Sequence, residues 1–235
     1  MKKIPEKRNG LYYLNYQGRE YVLPSVTAIT GDAMPKPDLL RWAARTAARE
    51  ALNNPTLSEE EVLALVTRKK TDGASRGALV HDFSEALDNN HAPSMDGVPE
   101  DVRPYIEALG RFMGDFSPSL VCNEVKVCNL THGYAGRMDR VYKIKDQNVL
   151  VDYKTSPNYY PEMGLQLAAY KNAEFMFRDA HGPFEPMPHI DSTMIVLLGK
   201  DGTYSTKPTD EPLELFLALK TVWKWMYHEK STLLK

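Results

Sequence analysis

The spacing of apolar residues divides the chain into a hairpin, a series of helices and then a series of strands. Near the N-terminus, apolar and polar residues alternate over 11–16 and 19–23 around Gln17 and Gly18, which predicts a β-hairpin. Apolar residues then recur at helical spacing in four stretches, and Ser58 and Glu61 take the positions of a capping box. We therefore predict helices over 37–52, 58–70, 73–87 and 99–116.

From residue 120 onward, the helical period gives way to the period of two that is typical of strands. The pattern predicts strands over 120–130, 134–144, 148–153, 192–198 and 203–207, with helices over 160–177 and 212–229. This order indicates an α/β fold with a mixed central sheet flanked by helices, an N-terminal hairpin and a helical insert. We expect one domain over 1–235: a hairpin at 1–30, a helical region at 31–118 and an α/β core at 119–235.

Composition narrows the class of protein without identifying it. The 235 residues carry a formal net charge of −2. A passive nucleic-acid coat protein would be strongly basic, so the charge argues against that class. No apolar run is long enough to span a bilayer, and no apolar signal region follows the charged N-terminus. We therefore expect a cytoplasmic protein with no membrane partner. The two cysteines, Cys122 and Cys128, are too few for a four-cysteine zinc site or an iron–sulfur cluster.

Two aspartates and a lysine are the strongest candidates for chemistry. Asp139 lies on one predicted strand, and Asp152 and Lys154 share one side of the next strand. Two carboxylates that converge on one point form an oxygen-rich site for Mg²⁺ or Mn²⁺. A neighbouring lysine can stabilise developing negative charge or orient a water molecule. The combination suggests metal-dependent hydrolysis of a phosphodiester, although an isolated Asp-x-Lys pair is more often a solvated strand end.

The order of these motifs resembles the PD-(D/E)XK nuclease superfamily, and in particular its RecB-type exonuclease branch, which includes phage exonucleases and the mitochondrial genome maintenance exonuclease. The resemblance covers residues from about 12 to 170 and implies a restriction-endonuclease-like sheet. The literal Pro-Asp dipeptide is replaced by Met138-Asp139. The matching motifs are Arg76-Gly77-x-x-x-His81, Gly136-Arg137-Met138-Asp139, Asp152-Tyr153-Lys154 and Gln166-x-x-x-Tyr170.

The resemblance also implies a role for each matching residue. The metal would be bound by His81, Asp139, Asp152 and the backbone carbonyl of Tyr153, with Glu124 as an accessory acidic ligand. Lys154 would touch the attacking water or the phosphate. Gln166 and Tyr170 would line the site and contact Lys154 or the DNA backbone. For Glu124, which stands beside Lys126 in the sequence, a plain cross-strand ion pair is an equally good interpretation.

Arginines supply candidate DNA contacts. Arg41, Arg45 and Arg49 repeat every four residues and form one basic helix face, which could guide DNA or could simply be solvated. Arg76 and Arg137 lie inside the motifs and are further candidates for phosphate contact.

The resulting hypothesis is a metal-dependent DNA exonuclease that acts in phage or bacterial recombination, repair or DNA processing. The helical region would form a wall or arch that restricts entry to a strand end. A structure-specific or nicking endonuclease is the alternative within the same chemistry. A catalytically idle DNA-binding subunit and an α/β binding protein without nuclease activity are the alternatives outside it. DNA is the expected partner, together with a single-strand annealing or single-strand-binding protein.

Overall fold

The computed structural model describes residues 7–89, 91, 93–178 and 182–233. Within these ranges the chain forms helices and strands in two sheets. The helices are α1 (Val26–Ala33), α2 (Pro37–Asn53), α3 (Glu59–Asp88), α4 (Arg103–Phe116), α5 (Pro161–Lys171) and α6 (Leu213–Leu233). The strands are β1 (Lys7–Arg8), β2 (Leu11–Tyr16), β3 (Arg19–Pro24), β4 (Ser119–Asn129), β5 (Tyr134–Ile144), β6 (Gln147–Lys154), β7 (Phe175–Phe177), β8 (Phe184–Pro186), β9 (Ser192–Leu198) and β10 (Tyr204–Thr209).

A mixed seven-stranded sheet forms the centre of the molecule, in the order β10-β9-β6-β5-β4-β7-β8. Strands β6 and β9 pair in parallel, and the other neighbours pair antiparallel. A parallel pair needs a crossover connection, and α5 lies in the segment that links β6 to β9. The small N-terminal sheet, β1-β2-β3, contains the predicted hairpin.

Helices cover both faces of the central sheet. On one face, Leu150 of β6 packs in a core with residues of α1, α5 and α6. On the other face, Val149, Val151 and Tyr153 pack against α4 and the second half of α3. Strand β6 is therefore buried on both sides, which explains its nearly continuous apolar sequence. The α/β class, with its mixed sheet and N-terminal hairpin, is confirmed.

The helical region differs from the prediction in one respect. The two helices predicted at 58–70 and 73–87 form one continuous helix, α3. Gly73 suggested a break, but a glycine inside a helix costs only about 1 kcal/mol relative to alanine, which the surrounding helix-forming residues outweigh. The capping box is present as predicted: Ser58 Oγ accepts from Glu61 N, and the Glu61 carboxylate accepts from Ser58 N at 2.8 Å.

Two further boundaries are corrected. The helix predicted over 160–177 ends at Lys171, and its last residues form β7, which pairs with β4. The segment after the hairpin forms α1, which straddles the expected limit of the hairpin at residue 30. The Ser25 side chain caps α1 by accepting from Ala28 N at 3.0 Å. In the described part of the chain, none of the helices has the length and apolarity needed to cross a membrane.

Candidate metal centre

Three elements bring the main candidate residues to one place. His81 lies on α3, Asp139 on β5, and Asp152 and Lys154 at the carboxyl end of β6. His81 Nδ1 lies 3.5 Å from Asp139 Oδ2, and Lys154 Nζ lies 2.6 Å from Asp152 Oδ2. The sequence order alone could not place α3 against these strands, so this convergence is a finding of the tertiary structure.

The orientation of His81 is set by a backbone group. His81 Nε2 lies 3.2 Å from the carbonyl oxygen of Tyr153. A carbonyl can only accept, so Nε2 carries the proton and Nδ1 keeps its lone pair. Burial lowers the pKa of His81, which favours the neutral ring. Two acceptors, Nδ1 and Asp139 Oδ2, therefore face each other at 3.5 Å, an arrangement that a cation between them would stabilise.

The carboxylates at this site are buried and incompletely paired. Asp139 Oδ2 and both oxygens of Asp152 are buried and lack a well-aligned hydrogen-bond donor among the described residues. The contact between Lys154 and Asp152 is an ion pair that lacks the alignment of a hydrogen bond. Burial, followed by the charge of Asp139, raises the pKa of Asp152 to about 7. Buried, unsatisfied carboxylate oxygens are costly, and a bound cation offsets that cost.

The donor set fits a divalent cation. One ligand atom each from His81, Glu124 and Asp139 can be chosen so that all three atoms lie within 4.8 Å of one another. The three residues line an open cavity beside Arg137. Carboxylate oxygens with one imidazole suit Mn²⁺ as well as Mg²⁺. Asp152 lies next to this set, since it directly precedes Tyr153, whose carbonyl oxygen is 3.2 Å from His81 Nε2.

Glu124 reaches the site through an unusual backbone conformation. Its φ is 51°, in the left-handed region that residues other than glycine rarely adopt. Its ion pair is with Arg137 on the neighbouring strand β5, which is the cross-strand pair of the alternative interpretation. Lys126 Nζ donates to the carbonyl oxygen of Arg178 at 2.8 Å. Burial raises the pKa of Glu124, as expected for a carboxylate turned inward.

The predicted pair on α5 lies on the other face of the sheet. Tyr170 is buried, and Gln166 Nε2 donates to its hydroxyl at 3.5 Å. Burial and then the charge of Asp139 raise the pKa of Tyr170. The ring packs against Gly136, three residues before Asp139 on β5. A contact of Gln166 or Tyr170 with Lys154 or with DNA stays a prediction.

A buried network behind the site was not foreseen. Arg140 follows Asp139 in β5, is fully buried, and its Nη1 lies 3.1 Å from Asp88 Oδ2. The Tyr142 hydroxyl donates to Asp88 Oδ1 at 2.5 Å, and the guanidinium carbon of Arg140 lies 4.6 Å from the centre of the Tyr153 ring. One sequence signal could have indicated this network: Asp88 follows His81 by two helical turns on α3.

The predicted DNA-binding arginines occupy three different places. Arg41, Arg45 and Arg49 are exposed on α2, which has no buried residue, and Arg41 pairs with Asp38 at 3.2 Å. Arg137 lines the cavity that contains His81, Glu124 and Asp139. Arg76 lies in a separate cleft, which also includes Thr155, the residue after Lys154.

Comparison with known proteins identifies no family. No family model matches the chain, and no curated protein sequence matches it. Among solved structures, 13 chains match. One of them is the crystal structure of SSO0001, which is 14% identical, with a TM-score of 0.40, over 84% of this chain and 72% of that chain. A likeness at this TM-score says nothing about the chemistry of the site.

Proposed function

We propose that the protein is a metal-dependent DNA exonuclease. The observation that carries the proposal is the meeting of His81 Nδ1 and Asp139 Oδ2, two facing acceptors, beside the buried Asp152–Lys154 pair. A neutral imidazole, several acidic groups and one lysine are the groups that hydrolysis of a phosphodiester uses. The resemblance of the motifs to RecB-type exonucleases supports the same chemistry.

In this proposal one group of residues would bind a cation, and Lys154 would stabilise negative charge. His81, Glu124 and Asp139 would hold Mg²⁺ or Mn²⁺, with Asp152 beside them. A bound ion lowers the pKa of a coordinated water and neutralises phosphate oxygens. The Tyr153 carbonyl keeps His81 Nδ1 free to act as a ligand.

Lys154 supplies positive charge beside the reacting group. Burial by itself lowers the pKa of Lys154. The carboxylates of Asp152 and Asp139 raise this pKa and together outweigh burial, so the net shift is upward. The side chain therefore stays protonated at neutral pH while remaining partly exposed. A charged, positioned ammonium can stabilise negative charge on a phosphate or orient water, but it is not a general base.

Cleavage of two DNA substrates tests the proposal. End-labelled linear DNA and covalently closed circular DNA are incubated with Mg²⁺ or Mn²⁺, with a metal-free reaction as control. We expect degradation of the linear DNA only. Cutting of the circle would replace the exonuclease by a structure-specific or nicking endonuclease. No cleavage of either substrate would leave an idle DNA-binding subunit or a binding protein of another class.

Variants at Asp152 and Lys154 complete the test. We expect Asp152→Asn and Lys154→Ala to abolish turnover while the fold stays intact. Lys143→Ala is the matched control, because Lys143 is exposed and pairs with Asn148 at the far end of the β5–β6 ladder. Retained turnover in Lys154→Ala would remove the catalytic assignment. The phage or bacterial setting and the single-strand annealing or binding partner stay predictions from the resemblance, and the cytoplasmic location stays a prediction from the sequence composition.

A further inference from the structure

A second cleft, of about 510 Å³, is lined in part by Thr155, the residue that follows Lys154. It lies where the parallel strands β6 and β9 end, the position at which α/β sheets bind ligands in general. Its volume is within the range of ligand-binding pockets, about 300–1,000 Å³. Its polar lining comes from α3, the end of β6, the end of β9 and β10, and includes Arg76, Thr155, Ser156, Lys200, Thr203 and Ser205.

The cleft adjoins the metal centre through two residues. Thr155 of the cleft directly follows Lys154 in the chain. Gly77, next to Arg76 on α3, faces it: a Cβ at position 77 would lie 3.7 Å from Thr155 Oγ1. One turn further along α3 is His81, which lines the metal cavity. A strand of DNA whose scissile phosphate lies beside Lys154 can therefore continue directly into this cleft.

Arg76 is held in the cleft with donor capacity left over. Its guanidinium carbon lies 5.2 Å from the centre of the Tyr105 ring, and its Nη1 lies 3.3 Å from Asp101 Oδ2. The Asp101 side chain is 67% exposed, so this pair is weak and an incoming phosphate can compete with it. Arg76 Nε is buried and makes no hydrogen bond to the part of the chain that the structure describes. An unused guanidinium donor favours an anionic ligand.

The acidic residue of the cleft is already engaged. Asp201 Oδ1 accepts from Thr203 N at 3.1 Å and from Thr203 Oγ1 at 2.7 Å, which stabilises the turn between β9 and β10. Lys200 is exposed beside this turn. Cationic and hydroxyl side chains of this kind are the usual contacts to DNA phosphates and sugars. Arg76 covers one face of the Tyr105 ring, which disfavours stacking of a base on that face.

We propose that this cleft binds one sugar–phosphate unit of the DNA strand, next to the bond that is cut. The proposal rests on the proposed function and adds where the strand runs on the protein. Arg76 and Lys200 would contact the phosphate, and the hydroxyl groups of Thr155 and Ser205 would contact its oxygens or the sugar.

Binding and kinetics of two variants test the proposal. The affinity of fluorescein-labelled DNA is measured by anisotropy without divalent cations over a range of salt concentrations. We expect Arg76→Ala and Lys200→Ala each to weaken binding by about tenfold, to make the slope of log K against log salt shallower by about 0.7–0.9, and to do so for any sequence. Both variants should raise KM more than they lower kcat. Arg76→Lys should restore the salt slope but only part of the affinity, because lysine keeps the charge and loses the fork of donors.

The outcomes separate this proposal from the proposed function. Lys143→Ala is again the control and should bind DNA as the wild type does. Unchanged affinity, salt slope and KM in Lys200→Ala, whose exposed side chain can be truncated without disturbing the core, would overturn the cleft as a DNA site. Metal-dependent cleavage that Lys154→Ala abolishes would meanwhile keep the nuclease. Conversely, weakened binding in both variants with no cleavage by the wild type would support the cleft and overturn the nuclease.

Discussion

Gly136 lies directly against the ring of Tyr170. A Cβ at position 136 would stand 2.4 Å from Tyr170 Cε1, a distance that real Cβ contacts essentially never show. Tyr170 is buried on α5, so its ring cannot move away without repacking the core. The glycine therefore lets α5 approach β5 three residues before Asp139. The glycine of the Gly136–Asp139 motif is explained by this packing.

Gly136→Ala should destabilise the protein. We expect a loss of about 1–3 kcal/mol in the free energy of unfolding, because the added methyl overpacks the core. Urea denaturation measures the effect. The control is Gly114→Ala on α4, where a Cβ would meet nothing within 4 Å. Because alanine favours a helix, the control should be stabilised by up to about 1 kcal/mol. Equal stability of the two variants would contradict the close approach of Tyr170.

The buried pair of Asp88 and Arg140 predicts strongly non-additive variants. Both side chains are almost completely buried, so removing one partner leaves an uncompensated charge. We expect Asp88→Ala and Arg140→Met each to cost about 3–5 kcal/mol, and the double variant to cost much less than their sum. Urea denaturation of all three checks this. Glu100→Gln, which removes the exposed pair of Glu100 with Arg103, should cost less than about 1 kcal/mol.

Metal binding should depend on the residues around His81. We expect Mn²⁺ to raise the unfolding temperature, since a ligand at 100 times its Kd adds about 2.7 kcal/mol of stability. Asp139→Asn and His81→Ala should lower the Mn²⁺ affinity at least tenfold in calorimetric titration, independently of any DNA substrate. Asp146→Asn in the exposed β5–β6 turn is the control and should bind Mn²⁺ normally. Unchanged affinity in Asp139→Asn would rule out this centre.

The basic face of α2 predicts a salt-dependent contribution to DNA binding. Arg45→Ala combined with Arg49→Ala should weaken DNA binding at low salt and make the salt slope shallower by up to about 0.9 per lost phosphate contact. The effect should shrink as salt rises, because these side chains are exposed. Glu50 on the same helix pairs with Lys69 of α3 at 2.5 Å. The unfolding transition of the double variant checks independently that α2 remains packed. An unchanged salt slope would show that this face is solvated and does not contact DNA.

Lys220 predicts a stability change at alkaline pH. Burial, and then the charge of Lys224, lowers the pKa of Lys220 from 10.5 to about 8. Between these values the unfolded chain binds more protons than the native protein, so this group makes stability rise with pH. We expect wild-type stability, relative to Lys220→Met, to increase between pH 8 and pH 10.5 in urea denaturation. A difference that stays constant across this range would contradict the lowered pKa.

The local pattern of residues was enough to predict most elements. The bounds of β5 and β9 match those predicted from apolar periodicity, and the hairpin of β2 and β3 follows from its turn residues. The errors had two physical causes. Gly73 lies inside α3 because the surrounding helix-forming residues outweigh its cost, and Phe175–Phe177 forms a strand because β4 offers it hydrogen-bond partners.

The sequence by itself determined the period of each element and the residue types at Asp139, Asp152 and Lys154, since both are local properties. Only the tertiary structure decided that α3 lies against β6, so that the Tyr153 carbonyl fixes the orientation of His81. It also decided that Arg140 is a buried partner of Asp88 and not a surface group. Such contacts join segments far apart in the chain. They depend on how whole elements pack, which the period of one segment does not encode.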